Sequence, residues 1–543
     1  MYIEKVHIVG FRCFKDFTIK FDKEKNVIVG DNGTGKSTIL EAIHLCLSGQ
    51  HRGQSIKNAL SPFLFNTDNV HAYIAAIEEG KSSPELLPKI TIEIFLAEDQ
   101  DEGSQIAWFE GDYNIQRDAA SGIRIDIEFN DIFQEEYAIL AKTPGEIKSI
   151  PIEYYHCIRQ TFSRTTLTYH PLPIRSLLID TSTITHTRGF IDVYLNRMIN
   201  ERLDSKDRVL LSGAFRQMKE SFSSDSSLSE IMDKITSPSL NLTLAIDPSV
   251  NTNWESLLVP KMDDIPFHYA GKGQQCMVKT HLALAANNNG ATTLLLEEPE
   301  NHLSHANLHK FLSQINENNG TDQIIVTTHS SLVSNKLDLG KLILLGGSDV
   351  LRYFKELDTD TRSFFRKVSG FDSLRVVLSK RSILVEGPCD DLIIQRAYLD
   401  LYGRLPIEDG IDVISVSGIR FKRYLALIDD LENRVAVLTD NDGISQKKSS
   451  WYEPYKAHNI EFFFSEDDSA KTLEPQIIKA NKERIAYLHS IVCPDLSDCS
   501  EDSVEKYMLD HKTDVALRIF ESKQRIVMPP YILNAIKWIR TDI

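Results

Sequence analysis

The sequence has no apolar run approaching 18 residues, so no membrane-spanning helix is expected. Its opening stretch, Met1 to Phe14, carries charge early and lacks the apolar centre of a signal peptide. Cysteine is scarce. The seven residues, Cys13, Cys46, Cys157, Cys276, Cys389, Cys493 and Cys499, are odd in number and dispersed, which excludes a disulfide framework and a zinc ribbon. A reducing, cytoplasmic location is the expectation. Basic residues are outnumbered, 60 Lys+Arg against 77 Asp+Glu, for a net charge of −17. That argues against a general basic coat for nucleic acid and leaves room only for a local groove. From Lys380 onward the count is 22 against 28, so the C-terminal part is also acidic, at −6. There is no short-period repeat and no low-complexity tract.

What remains is an ordinary globular composition, 42% apolar and 25% charged over 543 residues. At roughly 150 residues per domain this suggests about three or four units. Strand patterns fall at 2–9, 17–21 and 26–29, then a Gly-rich loop and a helix over 39–47. Further strands are expected at 70–78, 89–97 and 123–129. From about 188 to 235 the pattern is helical, with Phe190, Tyr194 and Met198 at i, i+4 and i+8 and a loop at 221–229. Strands return at 293–296 and 323–327 with a helix between them. A boundary is expected between 355 and 380. Beyond it, strands at 382–385, 411–416, 434–439 and 460–464 alternate with helices at 390–402 and 419–431, a rhythm that predicts a parallel sheet.

Gly30-Asp-Asn32-Gly33-Thr-Gly35-Lys36-Ser37 fits G-x-x-x-x-G-K-[ST] between a strand and a helix, and Thr38, next in line, is expected to bind nucleotide with it. Glycines there let main-chain N–H groups face a phosphate chain at a helix N-terminus. Lys36 supplies charge to the β- and γ-phosphates, and Ser37 a hydroxyl to Mg²⁺. Leu294-Leu-Leu-Glu297-Glu298-Pro-Glu300 delivers two carboxylates from a strand end, Glu297 toward Mg²⁺ and Glu298 toward the attacking water. His329, after the next strand, is placed to sense the γ-phosphate. Gly271-Lys-Gly273-Gln274 precedes a helix. Together with the opening Ile8-Val-Gly-Phe-Arg12-Cys-Phe14, these motifs resemble the ATP-binding-cassette ATPases of the SMC/RecF type. The resemblance implies paired heads sandwiching ATP, with Gly271, Gly273 and Gln274 of one head facing the phosphates of the other. Glu297 stands where many cassette ATPases carry Asp, and no long coiled coil separates the two halves.

Ile383-Leu-Val-Glu386-Gly-Pro-Cys-Asp390 ends a strand in one carboxylate and opens a helix with another. Val435-Ala-Val-Leu-Thr-Asp440-Asn-Asp442-Gly443 ends a strand in Asp-x-Asp. In a parallel sheet such strand ends share one edge, and clustered carboxylates call for Mg²⁺ or Mn²⁺ between them. Singly, Asp390 also fits a helix cap and Asp442-Gly443 a plain turn. The pair of motifs resembles the Toprim fold. Lys471-Thr-Leu-Glu474, Lys512 and the ending Val527 to Ile536 are similar to the OLD (overcoming lysogenization defect) family, in which a cassette ATPase precedes a Toprim domain.

That resemblance implies an α/β chain. An ATPase head at 1–154 and 251–375 would be interrupted by a helical, dimerising insertion at 155–250 and followed by a Toprim domain at 376–543. It implies an ATP-regulated, metal-dependent DNA endonuclease of antiphage defence, dimeric or larger. Glu386, Asp390, Asp440, Asp442 and Glu474 would bind metal, and Lys512 would stabilise charge on the scissile phosphate. Asp390 stands where many relatives carry Glu. Some relatives work with a helicase, or with a reverse transcriptase and its RNA–DNA product. The rival readings are a non-cutting ATP-dependent sensor or scaffold, and a topoisomerase or primase. His302, His305 and His309 read as a helix surface. Lys447, Lys448, Arg420, Lys422, Arg423 and Lys471 read as a phosphate groove or a solvated face.

Overall fold

The computed structural model describes residues 1–81, 83–98, 106–142, 147–167, 172, 174–180, 204–223, 260–284, 291–317, 323–346, 351–354, 357–367, 373–416, 421–428 and 431–541. They form two compact units. One comprises Met1–Thr328 and Ile343–Arg352, the other His329–Leu342 and Tyr353–Ile543. Among the described residues no helix is long and apolar enough to cross a membrane.

The first unit has two large sheets. In the antiparallel one, Phe14–Lys20, Tyr2–Phe11, Ile90–Ala97 and Ala120–Phe129 lie side by side, and Tyr155–Thr161 also pairs with Ala120–Phe129. In the other, Ile174–Asp180, Ala291–Glu297, Gln323–Thr328 and Lys25–Gly30 pair in parallel, with Leu342–Leu345 and Leu351–Tyr353 beyond. The helix Lys36–Ser48 is buried on most sides, Lys36 and Thr38 included. Its Ile39, Leu40, Ile43 and Leu45 share one core with Ile8, Ile92 and Ile123 of the first sheet and Ile28, Leu295 and Ile325 of the second. Each such side chain contributes about 1.5–3 kcal/mol by leaving water.

The second unit centres on four parallel strands in the order Ile411–Ser415, Arg381–Val385, Arg434–Leu438, Ile460–Phe463. All four match the strands expected from the sequence. The helices Pro388–Tyr402, Lys512–Glu521 and Pro530–Arg540 join them in one apolar core.

Some expectations fail for identifiable reasons. The strand expected at 70–78 is the helix Thr67–Glu78. The Asn66 side chain caps it by accepting from the Asn69 N–H, and Tyr73 and Ile77, four apart, form its buried face. Val70 to Ile77 contains both a period of two and a period of four, and the cap decides. Tyr155–Thr161 and Ile174–Asp180, inside the segment expected to be a helical insertion, are strands of the two sheets. The helix Ser205–Ser223 lies within that segment and takes in the first three residues of the loop expected at 221–229. Phe190, Tyr194, Met198 and the rest of that loop fall outside the described residues. Of the helix expected at 419–431, the described residues show Phe421–Leu425, followed by a turn at 426–428.

A buried charge network crosses the antiparallel sheet. His7 Nδ1 is 3.1 Å from Glu93 Oε2 and its Nε2 is 2.9 Å from Asp16 Oδ1. Glu93, fully buried, also accepts from Arg124 and the Ile115 N–H, and Arg124 makes a two-pronged contact with Asp126. The Glu93 hydrogen bond outweighs burial and, with Asp16, raises the His7 pKa above its ordinary 6.5. A raised folded-state pKa stabilises fully below the unfolded value, and the stabilisation is lost as pH rises through the folded value. We predict that His7→Leu lowers unfolding stability by about 1–3 kcal/mol at pH 6. The deficit should shrink in denaturant titrations at pH 9; a deficit that grows with pH would contradict the charged pair.

Candidate nucleotide and metal sites

The strand Lys25–Gly30 ends in the loop that opens the helix Lys36–Ser48. Gly33 and Gly35 take φ of 81° and 102°, the left-handed region that a side chain disfavours. A Cβ on Gly35 would stand 2.5 Å from the Phe14 ring. Lys36 is buried, and its Nζ donates to the main-chain oxygens of Gly30 and Asp31, both at 2.8 Å. Burial lowers its pKa, opposed by Glu298, Asp31, Glu300 and Glu297. The acidic strand end therefore lies close enough to act on the loop lysine. Ser37 and Thr38 follow on the same helix, with the Thr38 hydroxyl 3.8 Å from Cys13 Sγ; Asn32 is exposed in the loop.

Glu297 ends Ala291–Glu297 in register with Thr327. Glu298 takes a left-handed φ of 41°, its N–H donates to Thr327 O, and its Oε2 accepts from Asn301 at 2.7 Å. A strained turn at this place fixes a carboxylate's direction. Glu300, outside the expected site, accepts from the Thr328 hydroxyl at 2.6 Å. Gly273 is needed for close approach, because a Cβ there would stand 2.4 Å from His302 O, whereas Gly271 and Gln274 are exposed. The glutamine held by the fold is Gln275, which donates to Ala270 O at 2.8 Å. His329 opens the stretch grouped with the second unit. Arg12 is held by Glu41 at 2.8 Å. His305 and His309 stack edge to face along the helix His305–Glu317, as a helix surface would.

In the second unit, the adjacent strands Arg381–Val385 and Arg434–Leu438 bring Glu386 and Asp440 together. Glu386 Oε1 accepts from the Asp440 N–H at 3.1 Å and from the Thr439 hydroxyl. Asp390 accepts from the Gly387 N–H at 2.9 Å, so it does cap its helix, and it also faces the cluster. Burial and then Glu386 push its pKa up to about 6. Burial, then Glu386, Asp390, Glu474 and Asp442, push Asp440 up to about 8. Glu474 is buried; it accepts from the Thr472 hydroxyl at 2.9 Å and is paired with Lys512 Nζ at 3.0 Å. Asp442, at φ 51°, is 2.6 Å from Lys448 Nζ.

Among the described residues, no three His, Cys, Asp or Glu side chains are gathered tightly enough to enclose an ion as they stand. Each carboxylate other than Asp440 is held by a lysine, a hydroxyl or a main-chain N–H. The donor set nevertheless fits a hard divalent ion, being carboxylate oxygens only, crowded until one must hold a proton. Two residues that the sequence did not single out, Thr439 and Tyr531, belong here, as does Lys448, expected in a phosphate groove or on a solvated face. Thr439 bridges to Glu386, Lys448 lies buried under the Asp440–Asp442 turn, and Tyr531 lines the same cavity as Glu386, Asp390 and Asp440. Burial and the neighbouring carboxylates raise the Tyr531 pKa well above its ordinary value. Lys448 was legible in principle, because Ser445, Lys448 and Tyr452 form one buried helical stripe.

Fold and site define a P-loop ATPase unit followed by a parallel-sheet domain with clustered carboxylates. Residues 5–148 match the family model of an AAA domain, and residues 377–442 match that of the overcoming lysogenization defect protein-like TOPRIM domain. The chain thus carries an ATPase domain and an OLD-like TOPRIM domain. It is 39% identical over 74 residues to the DNA replication and repair protein RecF of Clostridium kluyveri, covering 14% of this chain and 19% of that protein. It is 51% identical over 53 residues to RecF of Acetivibrio thermocellus, covering 10% and 14%. The chain therefore spans a fifth or less of the length of these curated relatives. The C-terminal region of the Burkholderia pseudomallei OLD protein aligns at 21% identity, with a TM-score of 0.26, over 30% of this chain and 98% of that one.

The raised Asp440 pKa has a consequence for stability. The folded, metal-free protein binds a proton there that the unfolded chain releases near pH 4, so stability falls as pH rises from about 4 to about 8. We predict that Asp440→Asn raises metal-free stability by up to a few kcal/mol at pH 8.5 and by little at pH 4.5. Thermal unfolding in chelator at both pH values measures it.

Proposed function

We propose that this chain is an ATP-regulated, Mg²⁺- or Mn²⁺-dependent DNA endonuclease of the OLD type, acting in antiphage defence in the cytoplasm. The observation that carries the reading is the convergence of Glu386, Asp390, Asp440 and Glu474 beside Lys512. Those carboxylates would hold divalent metal, which would supply the Lewis acidity for two-metal hydrolysis of a phosphodiester. The chain's own part is to hold the ligands. Glu386 is oriented by the Thr439 hydroxyl and the Asp440 N–H, and Glu474 by Thr472 and Lys512. Lys512 lies about half exposed, where it can meet a phosphate oxygen. In an acidic domain, DNA would be engaged locally rather than by a basic surface.

In the ATPase unit, Lys36 and the loop N–H groups would bind the phosphates. Ser37 and Glu297 would hold Mg²⁺, Glu298 would polarise the attacking water, and His329 would sense the γ-phosphate. A dimer fits the exposed Val209, Leu210 and Met218 of the helix Ser205–Ser223. In that dimer Gly271, Gly273 and Gln274 would face the partner's nucleotide. One observation favours the second reading, a TOPRIM domain that binds nucleic acid or a partner without cutting: Asp442 and Glu474 are already neutralised by lysines. A helicase, or a reverse transcriptase with its RNA–DNA product, would suit either reading.

Asp440→Ala should cut Mn²⁺-dependent DNA cleavage by at least about a hundredfold while leaving ATP hydrolysis intact. Undiminished cleavage by that variant would sink the site. Lys36→Ala should lose ATP binding. Glu298→Gln should bind ATP and hydrolyse it about a hundredfold more slowly; normal turnover would mean that the two glutamates have other roles.

A further inference from the structure

Lys448 has no assigned role, and its surroundings are unusual for a lysine. It sits on the helix Ser445–Tyr452 and is only 5% exposed. Its ammonium lies 2.6 Å from Asp440 O, 3.2 Å from Thr439 Oγ1 and 2.6 Å from Asp442 Oδ2. Three donors thus meet three acceptors, which is what a buried lysine requires. The chain of contacts continues. The Thr439 hydroxyl, accepting from Lys448, donates its own proton to Glu386 Oε1. One ammonium therefore touches the turn that carries both aspartates and reaches Glu386 through a single hydroxyl. The turn is left-handed at Asp442, φ 51°, and at Gly443, φ 72°; the glycine adopts this freely, whereas Asp442 has a side chain in a region that disfavours one. The Lys448–Asp442 contact offsets that cost.

We infer that Lys448 is a positioning residue of the carboxylate cluster. It fixes the Asp440–Asp442 turn directly and the Glu386 carboxylate through Thr439, in the arrangement that receives a divalent cation. The inference rests on the metal-site reading above. Its rival is that Lys448 merely balances charge, and the two differ in sign. Removing a cation that only balances charge leaves the carboxylates more negative and tightens divalent binding. Removing a residue that positions the ligands weakens it.

The test is Mn²⁺ binding to the nucleotide-free, full-length protein, read by electron paramagnetic resonance of free Mn²⁺. Asp440→Asn serves as the blank for this site. Lys448→Met and Thr439→Val should each weaken the Asp440-dependent binding by about tenfold or more. The double variant should weaken binding by less than the two single effects combined, because both share the path to Glu386. If Lys448→Met does not fold, Thr439→Val, which keeps shape and removes only the hydroxyl link, carries the test alone. Unchanged or tighter Mn²⁺ binding, or effects that add in the double variant, would overturn the inference. Absence of Asp440-dependent Mn²⁺ binding in the wild type would overturn it together with the metal site. Weakened binding in a protein that never cuts DNA would support it and overturn the nuclease reading instead.

Discussion

Mutual repulsion among buried carboxylates is the constraint on which the second unit depends. Glu386, Asp390, Asp440 and Glu474 are held at one edge of a parallel sheet, where burial and proximity push Asp440 up to about 8. A fold gains nothing in stability from such a cluster. It is tolerated because Lys448, Lys512, Thr439 and main-chain N–H groups each hold one oxygen in place. Strain at Asp442 and a proton on Asp440 are what remains in the metal-free protein. Both are features of a site arranged to receive positive charge.

The first unit is organised by a different burial. The helix Lys36–Ser48 is enclosed by two sheets, so the loop before it cannot drift. That rigidity sets Lys36 against the main-chain oxygens of its own loop and near Glu297, Glu298 and Glu300. The lysine's lowered pKa and the strained turn at Glu298 belong to one arrangement. A phosphate chain entering the loop would replace the oxygens that Lys36 now contacts.

Much of this was legible in the sequence where a strand delivers chemistry. The strands ending at Gly30 and Glu297 in the first unit, and at Val385 and Leu438 in the second, are short apolar runs that end at or just before Gly or acid, and parallel pairing places the ends within each sheet on one edge. Legibility failed where a side chain's direction mattered more than its type. Residues 70–78 read as a strand because their alternation survives inside a helical period, and only the Asn66 cap of the helix Thr67–Glu78 resolves it. Lys448 read as a groove or a solvated face because a lysine seldom points inward, yet its helix buries that stripe. Tyr531, one of 18 tyrosines, gains its place only when Pro530–Arg540 packs beside the acidic strand ends. The tenfold-scale effects expected at such positions come from orientation, which pattern alone does not encode.

The central claim is that the carboxylate cluster is a divalent-metal site held ready by its neighbours. The most direct measurement is a calorimetric Mn²⁺ titration of the nucleotide-free protein at pH 7 in two buffers of different ionisation enthalpy. Asp440, raised to about 8, is mostly protonated at that pH and must release its proton when metal binds. The account predicts binding with close to one proton released per site, and loss of both signals in Asp440→Asn. Binding without proton release, or binding that survives in Asp440→Asn, would contradict it.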